Sequence, residues 1–208
     1  MAAAMALTAL LDWGLRCLSR FWQQSIALGL ITGFTIITVG YPTLLNSFLN
    51  VVYVRSSQIV LYEYLQQQPK DIRIASLTRE AENIPAFTGR SVLVSPGHSL
   101  AYHQGYYEQI RPRILDLITA QYTPDLAQLQ TIINRYNIDF WLIDERSFNP
   151  DTLSRQWIRQ FKPELAVALA WLQQQPPPAL QQLQATCTDI RDQGKILISA
   201  QCLLKSNL

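Results

Sequence analysis

Ile138-Asp-Phe-Trp-Leu-Ile-Asp144 holds four consecutive apolar side chains, Phe140 to Ile143, between two acidic residues. A strand that is apolar at every position has both faces buried, and sheets built from such strands are parallel and covered by helices. Ile72-Arg-Ile-Ala-Ser-Leu77 and Ser91-Val-Leu-Val-Ser95 read as two further short strands. Between the strands the apolar spacing changes to that of helices. Ile59, Val60, Tyr62 or Glu63, and Leu65 mark a helix that ends at Gln67-Gln-Pro-Lys-Asp71, and Ile110, Ile114, Leu117 and Ile118 share one face of a second helix over about 102–121. Thr123-Pro124-Asp125 predicts a helix start with Thr123 as its cap and Pro124 in the first turn, followed by Leu126, Leu129, Ile132 and Ile133. Asn149-Pro150-Asp151 predicts another by the same logic, with Leu153, Trp157, Ile158 and Phe161 turned inward. Strands alternating with helices define an α/β fold with a small, mostly parallel sheet.

The end of the chain has a different pattern. Gln174-Gln-Pro-Pro-Pro178 is a stiff break, after which Ala185-Thr-Cys-Thr-Asp-Ile190 and Lys195-Ile-Leu-Ile-Ser-Ala-Gln-Cys-Leu-Leu204 flank Arg191-Asp-Gln-Gly194. This predicts a C-terminal β-hairpin with glycine at the left-handed turn position. Cys187 and Cys202 fall one on each arm, offset by about three positions from an ideal register. Two readings stand open: both pack as small apolar residues, or a bulge brings them into the roughly 4.4–6.8 Å Cα separation of a disulfide.

Upstream of this domain, no Asp, Glu, Lys or Arg occurs between Arg20 and Arg55, a run of 34 residues, in a chain of 208 that is 15% charged overall. Residues 22–44 match the length of about 20 apolar residues that a spanning helix needs, with Phe21, Trp22 and Tyr41 as interfacial aromatics. A buried core helix of this length is rarely free of charge. A cleaved signal peptide would end its apolar stretch soon after a short core, whereas here it continues past Tyr41-Pro42. The expected layout is an N-terminal segment at 1–20, interfacial or the remnant of a span, then a transmembrane helix and extension at 21–54, then an extracytoplasmic α/β domain at 55–208. Arg16 and Arg20 ahead of the helix, against Arg55 behind it, place the N-terminus in the cytoplasm and the domain outside the cell membrane. The expected partner is therefore the lipid bilayer. A net charge of +2 without clustered basic residues gives no footprint for nucleic acid.

Motifs for chemistry are scarce. There is no P-loop, dinucleotide fingerprint, nucleophile elbow or CxxC, and no catalytic residue, cofactor or metal ligand set is predicted. His98 and His103, near Glu108, stand five apart after a Pro-Gly turn, a spacing unsuited to a metal. Their segment lies at the carboxyl edge of a strand, where open α/β sheets bind ligands, and is the candidate contact surface for a small molecule or glycan. Arg111 and Arg113, interleaved with Tyr106 and Tyr107, are candidates to grip an anion. Asp144-Glu145-Arg146 ends the third strand at the same edge. Its carboxylates suit acid–base work or, the favoured reading, helix capping and pairing with nearby arginines.

Several stretches together resemble a known family. Leu61-Tyr-Glu-Tyr-Leu65, Ala81-Glu-Asn-Ile-Pro-Ala-Phe-Thr-Gly-Arg-Ser-Val-Leu-Val94, Gly105-Tyr-Tyr107 with Ile110-Arg-Pro-Arg113, Ala120-Gln-Tyr122 and Tyr136-Asn-Ile-Asp-Phe-Trp-Leu-Ile-Asp144 are similar to the C-terminal region of cyanobacterial-type polytopic membrane proteins. Those proteins are laid out like lipid-sugar-dependent (GT-C type) glycosyltransferases. The resemblance implies a last span plus an external domain, from a fragment or a split gene product, that works beside other membrane spans of the same system. The catalytic acids of such enzymes lie in an earlier loop, so none carries over. The implied role is an accessory or acceptor-holding domain, not catalytic alone. The alternative is a single-pass protein whose external domain binds a ligand or partner.

Overall fold

The computed structural model describes residues 20–44, 57–99 and 103–207, and the chain divides into two units, residues 1–55 and 56–208. The segment 1–19, Cys17 within it, and the extension 45–54 lie outside the described residues. In the first unit, α1 (Arg20–Leu44) is one continuous helix, about 37 Å long at about 1.5 Å per residue. Its apolar side chains, Phe34, Ile36, Ile37 and Val39 among them, are exposed. Its hydroxyls turn inward: Ser25, Thr35 and Thr38 donate to the carbonyls four residues back, at 3.1, 2.8 and 2.8 Å. Among the described residues no helix is long and apolar enough to cross a membrane. The transmembrane helix expected over 22–44 is thus not shown; Gln23, Gln24, Ser25 and four threonines dilute the apolar run.

The second unit is a three-layer α/β domain. Its elements are α2 (Ile59–Gln67), β1 (Arg73–Ser76), α3 (Ile84–Thr88), β2 (Ser91–Val92), α4 (Gln104–Tyr122), α5 (Leu126–Tyr136), β3 (Phe140–Asp144), α6 (Pro150–Leu153), α7 (Lys162–Leu172), α8 (Ala179–Cys187), β4 (Thr188–Asp192), β5 (Lys195–Ser199) and α9 (Ala200–Lys205). Single 3-10 turns at Arg79–Glu82, Pro96–His98 and Trp157–Gln160 join them. The five strands lie in the order β2-β1-β3-β5-β4. Side chains alternate across the sheet as the pleat requires. Ile74, Phe140, Leu142 and Leu197 pack with Leu61, Leu65 and Ile84 of α2 and α3. Ala75, Trp141, Ile143, Ile196 and Ile198 pack into the larger core with α4, α5, α7, α8 and α9. Both faces are covered, which is why β3 and β5 are apolar at successive positions.

The sheet is mixed, and the mostly parallel sheet expected is corrected. β1 pairs in parallel with β2 and β3, but β3 pairs antiparallel with β5, and β5 with β4. The C-terminal hairpin joins the sheet because Ile196, Leu197 and Ile198 are apolar on both faces and can be buried only between two strands. Its turn places Gln193 at φ 40° and Gly194 at φ 81°. The strand arms are shorter than expected: 185–187 belongs to α8, whose Ala179, Leu180, Leu183 and Cys187 are buried at helical spacing, and 200–204 belongs to α9. α2 also turns a different face inward, with Leu61, Tyr62 and Leu65 buried and Ile59 and Val60 exposed. The cap of α5 is Asp125, accepting from Ala127 N at 2.9 Å, while Thr123 accepts from Asp125 N. The single helix expected after Asn149 is broken into α6, a 3-10 turn and α7, with Asn149 capping the first.

Two buried charged groups tie α2 in place. The Asp192 carboxylate accepts from Leu61 N at 3.1 Å, across 131 residues, satisfying a first-turn donor of α2 and favouring its positive end. At the other end the Arg90 guanidinium donates to the carbonyls of Gln66 (2.6 Å), Gln68 and Thr88 (2.7 Å). Arg90 therefore closes the last turns of both α2 and α3, and Gly89, at φ 66°, makes the left-handed exit from α3 that aims it there.

Cys187 and Cys202 are bonded, with their Cα atoms 5.5 Å apart. Neither lies in the hairpin ladder: the bridge joins the end of α8 to α9, so strand register does not govern it. We expect both thiols to resist alkylation in the native chain until it is reduced, and reduction to destabilise the domain by about 3 kcal/mol in the chain-entropy model. Mass spectrometry of alkylated protein checks this; two labelled thiols in unreduced native protein would contradict the bond.

Candidate functional site

The strand ends of β1 and β3 point their carboxyl termini at one edge of the sheet, and the backbone leaves each in a defined turn. After β3, Ser147 Oγ accepts from Asp144 N at 2.9 Å while Ser147 N donates to Asp144 O at 2.9 Å. After β1, Thr78 N donates to Ser76 Oγ at 3.1 Å, and Leu77 O accepts from Trp157 Nε1 at 2.7 Å. Between these turns opens a cleft of about 640 Å³. Arg79, Asp144, Arg146, Arg155, Trp157 and Lys195 line it, together with Asn149, Asp151, Thr152 and Gln156.

Charge is unevenly distributed there. Lys195 pairs with Asp144, its partner in the β3–β5 register. Just outside, Arg191 and Glu145 pair at 3.2 Å in an exposed contact of small energetic worth. Arg79, Arg146 and Arg155 make no ion pair among the described residues. Three arginines thus face an edge where the Asp144 carboxylate is already neutralised.

Behind the cleft runs a buried polar chain. Trp141 Nε1 donates to Gln121 Oε1 at 3.2 Å, Gln121 Nε2 donates to Tyr122 Oη at 2.8 Å, and Tyr122 Oη donates to Ser147 O at 3.1 Å. Each group is satisfied in a place where an unpaired one would cost about 1–3 kcal/mol. Burial holds the Tyr122 phenol above its ordinary pKa, the Gln121 bond lowers it somewhat, and the Asp144 charge raises it further.

The residues singled out from sequence are not gathered at one place. Asp144 lies in the cleft, paired with lysine and not with arginine. His98 is exposed, with Nδ1 2.6 Å from Ser95 Oγ, and lines a separate cavity of about 230 Å³ beside Tyr106 and Ile110. His103 precedes α4, and Arg111 and Arg113 sit on α4; none of the three lines either cavity. Among the described residues no group of three His, Cys, Asp or Glu could hold a metal. Of the cleft cations missed from sequence, Lys195 opens β5, while Arg79 and Arg155 had one signal: each lies a few residues beyond a strand end or cap, where the sheet edge gathers side chains.

Three of the stretches behind the sequence resemblance hold structural contacts. Arg90 ends the Asn-Ile-Pro stretch, Gln121 and Tyr122 meet Trp141 in the buried chain, and the Tyr136–Asp139 stretch stitches α5 to β1. There Arg73 donates to Tyr136 O, Asp139 accepts from Arg73 N at 2.8 Å, and Tyr136 donates to Asp116 at 2.6 Å.

No protein-family model matches the chain, and neither does any curated protein. Among solved structures, the chain is similar to the C-terminal globular domain of an oligosaccharyltransferase from Archaeoglobus fulgidus, at 9% identity, covering 71% of this chain and 99% of that one, with a TM-score of 0.45.

Because Tyr122 keeps its proton in the folded state beyond the pH at which an unfolded tyrosine releases it, stability is intact below about pH 10 and declines above it. Denaturation midpoints should therefore fall as pH rises through that range, and fall less steeply in Tyr122→Phe. Equal slopes in the two proteins would contradict the burial of this phenol.

Proposed function

We propose that the chain is a membrane-anchored accessory protein whose α/β domain, outside the cytoplasm, holds a ligand in the cleft at the carboxyl edge of β1 and β3. The observation that carries this reading is the cleft itself, with polar groups from three loops fixed by backbone hydrogen bonds at the edge where α/β sheets recruit ligands. The Cys187–Cys202 bond supports an oxidising compartment, since disulfides persist outside the cytoplasm. Membrane anchoring is supported by the charge-free run 21–54, part of it in α1, where Thr35 and Thr38 satisfy their hydroxyls on the helix's own carbonyls. That the system served is a lipid-sugar-dependent glycosyltransferase rests on the sequence resemblance at 81–94 and 136–144. Catalysis is not part of the proposal: the catalytic acids of the enzymes it resembles lie in an earlier loop, and Asp144 at the end of β3 is paired with Lys195.

An export-dependent reporter fused after Leu208 should be active, and the chain should stay in the membrane pellet through a carbonate wash. Replacing Ile31 and Ile36 by arginine should release it, at about 5–7 kcal/mol of lost insertion energy. In a thermal-shift screen of the full chain in nanodiscs, a ligand should raise the melting temperature of the wild type but not of Thr152→Trp, which fills the cleft. A reporter active only in the cytoplasm would overturn the topology; ligands that stabilise both proteins equally would overturn the cleft.

A further inference from the structure

Resting on the cleft being a ligand site, we infer that its ligand carries a phosphate group, gripped by Arg79, Arg146 and Arg155 against the wall made by Trp157. The arginines arrive from separate places: the turn after β1, the turn after β3 and the loop after α6. Four other arginines of the domain have partners of their own. Arg73 and Arg90 hold carbonyl oxygens, and Arg135 and Arg191 hold Asp116 and Glu145. The carboxylates in the cleft do not serve the three: Asp144 is taken by Lys195, and Asp151 sits in the first turn of α6, where the helix end favours it. The lining therefore carries four cations against two anions.

That excess suits a group of more than one charge. A carboxylate offers two oxygens in one plane, which a single guanidinium satisfies. A phosphate offers three or more oxygens in a tetrahedron, and guanidinium forks from several directions match it. Asn149, Thr152 and Gln156 on the same wall supply neutral hydrogen-bonding groups for whatever the phosphate is attached to, and the Trp157 indole, fixed by its bond to Leu77 O, offers an apolar surface beside them. The phosphate has two possible sources, a soluble phosphorylated molecule or a lipid headgroup, with the same recognition chemistry.

The test is calorimetric titration of inorganic pyrophosphate into the full chain in phosphatidylcholine nanodiscs. Wild type should bind, and Arg146→Gln and Arg155→Gln should each weaken binding about tenfold or more. Arg111→Gln, outside the cleft, should leave it unchanged. Circular dichroism confirms that each variant is folded, and Arg146→Lys, which keeps the charge, should recover part of the loss. Repeating the titration in nanodiscs that also contain phosphatidic acid separates the sources: suppressed binding identifies a lipid phosphate, undiminished binding a soluble one. No heat in neutral discs together with no change in wild-type stability on adding phosphatidic acid would overturn the inference, as would equal losses in Arg111→Gln and Arg146→Gln. If pyrophosphate fails while an uncharged sugar protects the wild type but not Thr152→Trp, the phosphate inference falls and the cleft stands; if nothing distinguishes Thr152→Trp from the wild type, both fall.

Discussion

The buried hydrogen-bond chain from Trp141 through Gln121 and Tyr122 to Ser147 is the constraint on which the rest of the domain depends. It joins the middle of the central strand to the end of α4 and then to the turn that follows the strand. Every polar atom in it lies in the larger core, where water cannot substitute for a lost partner. The Trp141 ring must therefore point to the α4 side of the sheet, which sets the alternation of β3 and, through its ladders, of β1 and β5. The last link fixes Ser147, whose hydroxyl and amide hold Asp144 at the cleft rim.

From this frame the cleft follows. β3 and β5 in antiparallel register place Lys195 opposite Asp144 and neutralise it. The turn anchored by Ser147 carries Arg146 outward, and the Trp157 bond to Leu77 O fixes the opposite wall. Arg90 and Asp192, at the two ends of α2, do the same work for the thinner layer, using charge-assisted bonds in place of apolar area that a nine-residue helix cannot supply.

Much of the layering was legible in the sequence, because hydrophobic period is a local property. The apolar run at 140–143 announced a strand buried on both faces, and α4 and α5 followed from their spacing. The hairpin turn was legible in Gln193-Gly194, but not the strand it would join: pairing depends on which edge is open after the other strands are placed. α8 was hidden because glutamines occupy its outer face and the cysteine at its end reads equally well in a strand. The candidate site was less legible. Asp144 and Arg146 were visible at a strand end, but Arg79 and Arg155 reach the same cleft through turns whose directions only the assembled sheet defines. Conversely, the stretches most specific in sequence proved to be those with buried polar partners, since a residue that must satisfy another buried group has few substitutes.

A double-mutant cycle between Gln121→Leu and Trp141→Phe, read by chemical denaturation of the full chain, tests most directly whether this polar chain acts as one unit. If it does, the double variant loses less stability than the two single variants together, with a coupling of about 0.5–3 kcal/mol. Single losses that simply add, within about 0.5 kcal/mol, would show that α4 and the central strand are held by packing alone and that the chain does not frame the cleft.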